Sequence, residues 1–200
     1  DTSSSNILTV DLTALPSDAQ KLARWALQGW ETVANLDFVE VSFGADITFD
    51  DDQAGAFAGS SYDSSGNVTS ANVNISNTWV VDYGSDVTSY TMSTYAHEIG
   101  HALGLGHQGD YNGNAVYPTD ATFLNDSYQL SLMSYFPQDE NTTVDASYAD
   151  PITPMIVDIV AIQQHYGAPG ANSPSAGNTV WGEAGTLGTY LDLLFAGGAL

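Results

Sequence analysis

The sequence predicts an α+β fold, because strand-like and helix-like segments both occur in a chain long enough for one core. It has 200 residues, and the hydrophobic fraction of 43% suits a globular domain and is too high for a disordered chain. Three segments repeat apolar residues at helical spacing, namely residues 17–35, 91–105 and 155–166. Segments with the alternation of strands precede the second of these helices.

The strands predicted from alternation lie in the first 76 residues. Residues 53–70 interrupt them with many Gly, Ser and Asn residues and are expected to form a loop. Short-period alternation of apolar and polar residues identifies four strands, at residues 7–12, 37–43, 46–49 and 70–76.

The helix ends are predicted from local capping signals. Ser17 and Gln20 fit a capping box for the first helix, and Ser93 or Thr94 is a candidate cap for the second. Apolar residues of the first helix, including Trp30, recur at helical spacing, which indicates packing on a core rather than ligand contacts.

The composition excludes several classes of function. Only Lys21 and Arg24 are basic against 24 acidic residues, so neither nucleic acid nor an anionic membrane is an expected partner. The chain has no cysteine, which removes disulfides, thiolate metal sites and thiol nucleophiles. No apolar run approaches the roughly 18 residues that a membrane span needs.

The formal charge of −22 has more than one explanation. Such self-repulsion destabilises a compact state unless salt screens it or cations bind. We therefore expect a secreted protein from a salty setting, a protein that binds Ca²⁺, or both. An acidic surface that serves only solubility is the alternative.

Residues 97–107 carry a pattern with a specific chemistry. On a helix, His97 and His101 leave the same face one turn apart, so both can reach one Zn²⁺. Glu98 can lean over the metal without binding it. Gly104 can take the left-handed conformation that ends a helix, and the reversed chain brings back His107.

Three imidazoles leave one zinc position open for water, which is typical of a catalytic rather than a structural site. In this hypothesis the metal polarises the scissile carbonyl, and Glu98 takes a proton from the zinc-bound water and delivers it to the leaving amine. The alternative is three unrelated histidines at a helix end. His165, the fourth histidine, is expected to be a surface or packing residue.

The extended motif HExxHxxGxxH resembles the metzincin metalloproteases. A methionine turn, which these proteins carry beneath the zinc site, is matched by residues 131–135. The resemblance implies that Met133 is an apolar floor under the ligands, although Met133 alone could be an ordinary core residue. It also implies that Tyr135 is a further zinc ligand that can swing away and donate a hydrogen bond to the oxyanion of the intermediate.

Within the metzincins the chain resembles the serralysins, from about residue 5 to residue 167. Gln108 departs from the proline that usually follows the third histidine. The segments that carry the likeness are residues 30–36, 45–49, 109–112, 153–156 and 166–167. The resemblance implies a twisted mixed sheet with an edge strand over the cleft. We expect residues 70–76 to be that strand, with Asn72 and Asn74 either as rim contacts for substrate or as ordinary strand residues.

The resemblance also divides the chain into two units. Residues 1–168 are expected to be the catalytic domain. Residues 169–200 are expected to be a linker and the start of a truncated module, with an apolar strand at residues 191–195. Serralysins continue into a glycine-rich β-roll that binds Ca²⁺, and its repeat does not occur here. The tail could therefore lack a docking partner and leave the chain poorly stable.

The predicted function is that of a secreted, extracellular, zinc-dependent endopeptidase with broad protein and peptide substrates. The expected cofactor is Zn²⁺, with Ca²⁺ as a further candidate. The expected partners are substrates and a proteinaceous inhibitor, and the protein is expected to be a monomer. The alternative is a zinc-containing binding or adhesion domain without turnover.

Overall fold

A five-stranded sheet carries helices in the computed structural model, which describes residues 6–65, 68–143 and 145–196. The strands are β1 (Asn6–Asp11), β2 (Leu36–Glu40), β3 (Ile47–Asp50), β4 (Ala56–Tyr62) and β5 (Val68–Ile75). The helices are α1 (Ser17–Val33), α2 (Trp79–Tyr83), α3 (Tyr90–Ala102), α4 (Ile156–Tyr166) and α5 (Tyr190–Phe195). The predicted α+β class and the three main helices are confirmed.

The sheet is mixed, with the strand order β2-β1-β3-β5-β4. Its pairings are parallel except for β4, which runs antiparallel to β5 at the edge. The prediction that residues 70–76 form the edge strand is therefore wrong, because β5 lies between β3 and β4. The loop predicted for residues 53–70 is also wrong over β4. An edge strand exposed along much of its length needs few apolar residues, so its alternation is weak.

Helix α1 begins without the predicted capping box. Pro16 is its N-cap and makes no side-chain capping bond. The Gln20 side-chain amide donates to the Leu15 carbonyl at 2.9 Å instead of returning to Ser17. A proline beside the first turn removes a donor that would otherwise need a cap, so the helix can start here without a serine cap.

Helix α3 begins at Ser89, whose side chain accepts from the Met92 N–H at 3.2 Å. The predicted caps, Ser93 and Thr94, lie inside the helix, and the Thr94 hydroxyl donates back to the Tyr90 carbonyl at 2.9 Å. Several Ser and Thr residues close together make the cap ambiguous from sequence, because only one of them takes the extended backbone of a cap.

Helices α1 and α3 pack against each other in the core, and α3 also contacts β4 and β5. Trp30 is fully buried and its indole N–H donates to the Ala96 carbonyl of α3 at 3.1 Å. This confirms the packing role predicted for Trp30. These contacts hold one face of α3 in the core. Another face of α3 lies against β4 at the edge of the sheet.

The C-terminal segment packs on the body of the protein. Residues 190–195 form helix α5 rather than the predicted strand. The Tyr190 hydroxyl donates to the Ile152 carbonyl at 2.8 Å, and Leu187 and Leu191 join the main core. The expectation that the tail lacks a docking partner is therefore wrong for residues 187–194. Residues 1–5 and 197–200 of the two predicted units lie outside the described residues.

Both basic residues of the chain are used in ion pairs on α1. Lys21 pairs with Asp18 at 3.3 Å, and Arg24 holds both carboxylate oxygens of Glu40 on β2. Among the described residues, no helix combines the length and apolar character needed to cross a bilayer.

Candidate metal centre

The three histidines of the sequence motif converge on one point. His97 and His101 lie one turn apart on α3, and His107 approaches from the loop that follows. One ring nitrogen from each lies within 4.8 Å of the other two, and the Nε2 atoms of His101 and His107 are 3.0 Å apart. The described residues of the chain form no second cluster of three or more potential ligand side chains.

The turn after α3 is a Schellman motif. The Gly104 N–H donates to the His101 carbonyl at 2.9 Å, and the Leu105 N–H donates to the Gly100 carbonyl at 3.0 Å. Gly104 has a φ of +98°, a conformation that side chains with a Cβ rarely adopt. This is the helix-ending reversal that the sequence predicts for Gly104, and it ends α3 at Ala102 rather than at residue 105.

Each imidazole is oriented through Nδ1 by a backbone carbonyl. The pairs are His97 with Leu132, His101 with Leu105 and His107 with Tyr111, each at 2.8 Å. Since a carbonyl only accepts, Nδ1 carries the hydrogen in all three rings and each Nε2 keeps its lone pair.

The donor set fits a divalent cation. Two unprotonated Nε2 atoms 3.0 Å apart repel each other unless a positive charge lies between them. Burial lowers the pKa of His97 to about 3, with the neighbouring His101 as the next cause. Burial also lowers the pKa of His101 and of His107. The rings are therefore neutral near pH 7, which is the state that binds Zn²⁺.

Glu98 points to the same cleft and is only 6% exposed. Burial raises the pKa of its carboxyl to about 7, although a hydrogen bond from the Ala58 N–H of β4 opposes that rise. An ordinary glutamate is fully ionised at that pH, whereas Glu98 can both take up and release a proton.

Two cavities of roughly 530 and 500 Å³ meet at Glu98 and Tyr135. The first extends past His97 to Tyr90 and Tyr128. The second extends along β4 from Phe57 to Tyr62, past His101 and His107. The cleft therefore runs along the edge strand and passes the histidine cluster.

Met133 lies beneath the cluster and is 1% exposed. A methyl group added to Gly100 would lie 2.7 Å from the Met133 sulfur and 3.1 Å from a ring carbon of Trp30. Because Gly100 has no side chain, Met133 can pack closely against this part of α3. The sequence prediction did not identify Gly100, although a glycine inside a helix was a signal.

A buried carboxylate that the sequence prediction also missed holds the methionine turn. Asp158 on α4 accepts from the Ser131 hydroxyl at 2.6 Å and from the Leu132 N–H at 2.7 Å. It also accepts from the Met155 N–H at 2.8 Å. Because the Leu132 carbonyl bonds to His97, Asp158 supports the orientation of that ring indirectly, through the Leu132 backbone.

Tyr135 lies beside the cluster, where the sequence predicts it. Its ring centre is 4.4 Å from that of His107 and 6.1 Å from that of His97. The Gly113 N–H bonds to its hydroxyl, and burial raises the pKa of the phenol. Its role as a ligand stays a prediction.

Two other predicted positions lie outside the site. Asn74 is fully buried and its amide donates to the Gln53 and Gly55 carbonyls. Asn72 bonds to Asp50 on β3 at 2.8 Å. The hypothesis of rim contacts is therefore wrong, because β5 is an interior strand. His165 lies in the last turn of α4 and does not belong to the histidine cluster.

Comparison with known proteins identifies the family. The matrixin model of peptidase family M10 matches residues 5–132. Metallopeptidase AprA of Pseudomonas marginalis is 37% identical over 177 residues, which cover 80% of this chain and 36% of that protein. Serralysin C of Dickeya chrysanthemi is 38% identical over 162 residues, which cover 73% and 33%.

A solved structure agrees on the fold. The crystal structure of myroilysin has a TM-score of 0.53 and 22% identity, and the match covers 83% of this chain and 86% of that one. The chain spans about a third of the length of the curated relatives it matches. The chain belongs to the matrixin family of M10 peptidases and is a serralysin-like metzincin.

Proposed function

We propose that the protein is a zinc-dependent endopeptidase. The observation that carries this proposal is the convergence of three imidazoles beside a buried glutamate in an open cleft. His97, His101 and His107 would hold the ion, with Met133 as the apolar floor below them. When bound, Zn²⁺ supplies a Lewis acid that polarises a carbonyl and makes water more acidic.

Glu98 moves the proton. Its carboxylate accepts a proton from the attacking water, and the resulting carboxylic acid delivers it to the nitrogen of the leaving amine. A pKa near 7 suits both steps, because the group is neither a very weak base nor a very weak acid at neutral pH. The Ala58 N–H holds the carboxylate toward the cleft.

Tyr135 stabilises the oxyanion of the tetrahedral intermediate. Its phenol donates a hydrogen bond to the developing negative oxygen of the tetrahedral intermediate, and the Gly113 N–H keeps the hydroxyl in place. We also propose the phenol oxygen as an additional ligand of the resting metal centre. Both roles need the ring beside His107, where it lies.

The substrate lies extended along β4. This strand is the open edge of the sheet, it lines the second cavity, and its Ala58 N–H already points into the cleft. Main-chain pairing with an edge strand gives affinity with little dependence on sequence. Broad protein and peptide substrates follow, and a proteinaceous inhibitor would enter along the same edge.

Secretion, calcium binding and a monomeric state complete the proposal. The charge of −22 supports an environment in which salt or cations screen the acidic surface. Calcium rests on this charge and on the family resemblance. Among the described residues, the histidine triad is the cluster of three or more potential ligand side chains. Imidazole nitrogens suit zinc, whereas calcium prefers oxygen ligands.

The test is the variant Glu98→Gln, compared with Glu183→Gln at an exposed position of the tail. We expect Glu98→Gln to keep its zinc and to lose at least about 10²-fold of casein hydrolysis, because the proton acceptor is gone. Glu183→Gln should match the wild type. Equal activity of the two variants would refute the role of Glu98. Zinc-loaded wild type that leaves casein intact would favour the non-catalytic binding domain.

A further inference from the structure

The third histidine needs support that the other two receive from their helix. His107 lies in the loop after Gly104, so the geometry of α3 does not orient it. Tyr111 holds it in two ways. The Tyr111 carbonyl accepts from His107 Nδ1 at 2.8 Å, and the phenol ring stacks on the imidazole with centres 5.5 Å apart and planes 20° apart.

Tyr111 is itself held by a buried carboxylate. Its hydroxyl donates to Asp126 Oδ2 at 3.0 Å, and Asp126 is only 3% exposed. The Asp126 carbonyl in turn accepts from the side-chain amide of Asn141 at 2.7 Å. The Tyr111 hydroxyl also accepts a hydrogen bond from the backbone N–H of Tyr135. One phenol group therefore joins the acidic residue to the two loops that carry His107 and Tyr135.

Folding alone gives little reason for a carboxylate at this position. Burying an ionised group is costly unless it is well paired, and no cation pairs with Asp126 because both basic residues pair elsewhere. The other carboxylate oxygen of Asp126, Oδ1, is buried and accepts no hydrogen bond from the described residues. The negative charge does act on the His107 ring. The negative charge of Asp126 would therefore stabilise a dication bound by the His107 imidazole.

We propose that Asp126, acting through Tyr111, is a positioning residue for the metal centre. It fixes the His107 imidazole in the orientation that directs Nε2 to the ion, and its charge favours a dication at that point. This inference rests on the proposed zinc centre, and it concerns binding of the metal rather than the cleavage step. The alternative is that Asp126 only stabilises the loop of residues 111–143.

The chain offers a matched control in the same aromatic cluster. Tyr117 is buried like Tyr111, and its ring contacts Phe136 edge-on at 5.7 Å, as the Tyr111 ring does at 5.2 Å. Its hydroxyl donates to the Leu124 carbonyl at 2.9 Å and so bonds to neither a histidine nor Asp126. Tyr111→Phe and Tyr117→Phe thus each remove one buried hydroxyl.

The experiment measures zinc affinity by competition with a chromophoric chelator, and the absorption spectrum of the Co²⁺-substituted protein. We expect Tyr111→Phe and Asp126→Asn to weaken zinc binding about 10–100-fold and to change the Co²⁺ spectrum. Tyr117→Phe should lower the melting temperature at most and leave both metal readouts at their wild-type values. If Asp126→Asn does not fold, Tyr111→Phe decides.

Equal zinc affinities for Tyr111→Phe and Tyr117→Phe would overturn the inference, as would a wild type that does not bind zinc. The proposed function fails in a different way, when wild type that binds zinc does not cleave casein. Tight zinc binding by the wild type and selective weakening in Tyr111→Phe would support the positioning role in that case too.

Discussion

The reversal at Gly104 gives a prediction whose size follows from the structure. Gly104 has a φ of +98°, and no atom lies within 4 Å of a Cβ placed there. Replacing it with alanine therefore adds backbone strain without a steric clash. A left-handed conformation costs a residue with a Cβ about 1–2 kcal/mol. For a chain of this length, that strain corresponds to a melting temperature about 2–8 °C below that of an alanine variant at an unstrained glycine.

Gly106→Ala is the control for this prediction. Gly106 lies two residues further on, its backbone is not left-handed, and a Cβ there also meets nothing within 4 Å. Both substitutions reduce the freedom of the unfolded chain equally, so the difference between the variants isolates the strain. The assay is urea unfolding of the zinc-free protein. Equal free energies of unfolding for the two variants would refute the reasoning.

Two further predictions concern packing and pH. Gly100→Ala should destabilise the protein by up to about 2 kcal/mol in urea unfolding, because overpacking against Met133 costs about 1–3 kcal/mol and helix propensity returns about 1; a stabilised variant would contradict this. Hydrogen bonds from Thr9 lower the pKa of Asp46 below 3.8, so its charge stabilises the fold above that pH and progressively less below it. The urea midpoint of the wild type should be higher than that of Asp46→Asn at pH 6, and the difference between the two midpoints should shrink toward pH 3. A difference that stays constant with pH would contradict this prediction.

The parts of the site that sequence predicts are those whose geometry is local. His97 and His101 are four residues apart on a strongly patterned helix, so their common face follows from helical periodicity. Gly104 lies where the pattern ends, and a left-handed residue there turns the chain toward His107. The segment therefore predicts that the three histidines approach one another, whereas the orientation of the rings depends on contacts outside it, such as the Leu132 carbonyl that holds His97.

The supporting carboxylates could not be predicted in the same way. Asp126 bonds to a tyrosine 15 residues away, and Asp158 bonds to a serine 27 residues away. Nothing in the local pattern distinguishes them from the many exposed aspartates of the chain. Their role follows only from the packing of the loops and α4 around the site.

The errors in the fold have related causes. β4 contains Gly59 and small polar residues, so its alternation is weak. Whether β5 is an edge or an interior strand depends on that neighbour, which the alternation of β5 does not specify. The apolar run at residues 191–195 is too short for periodicity to separate helix from strand, and docking of Tyr190 on the core accompanies the helix.

The central claim is that His97, His101 and His107 bind one zinc ion. Anomalous diffraction at the zinc edge, from crystals of the purified protein, tests it most directly. We expect one strong peak about 2.0–2.1 Å from the Nε2 atom of each ring. A peak elsewhere, or three rings turned away from one another with no peak between them, would contradict the claim.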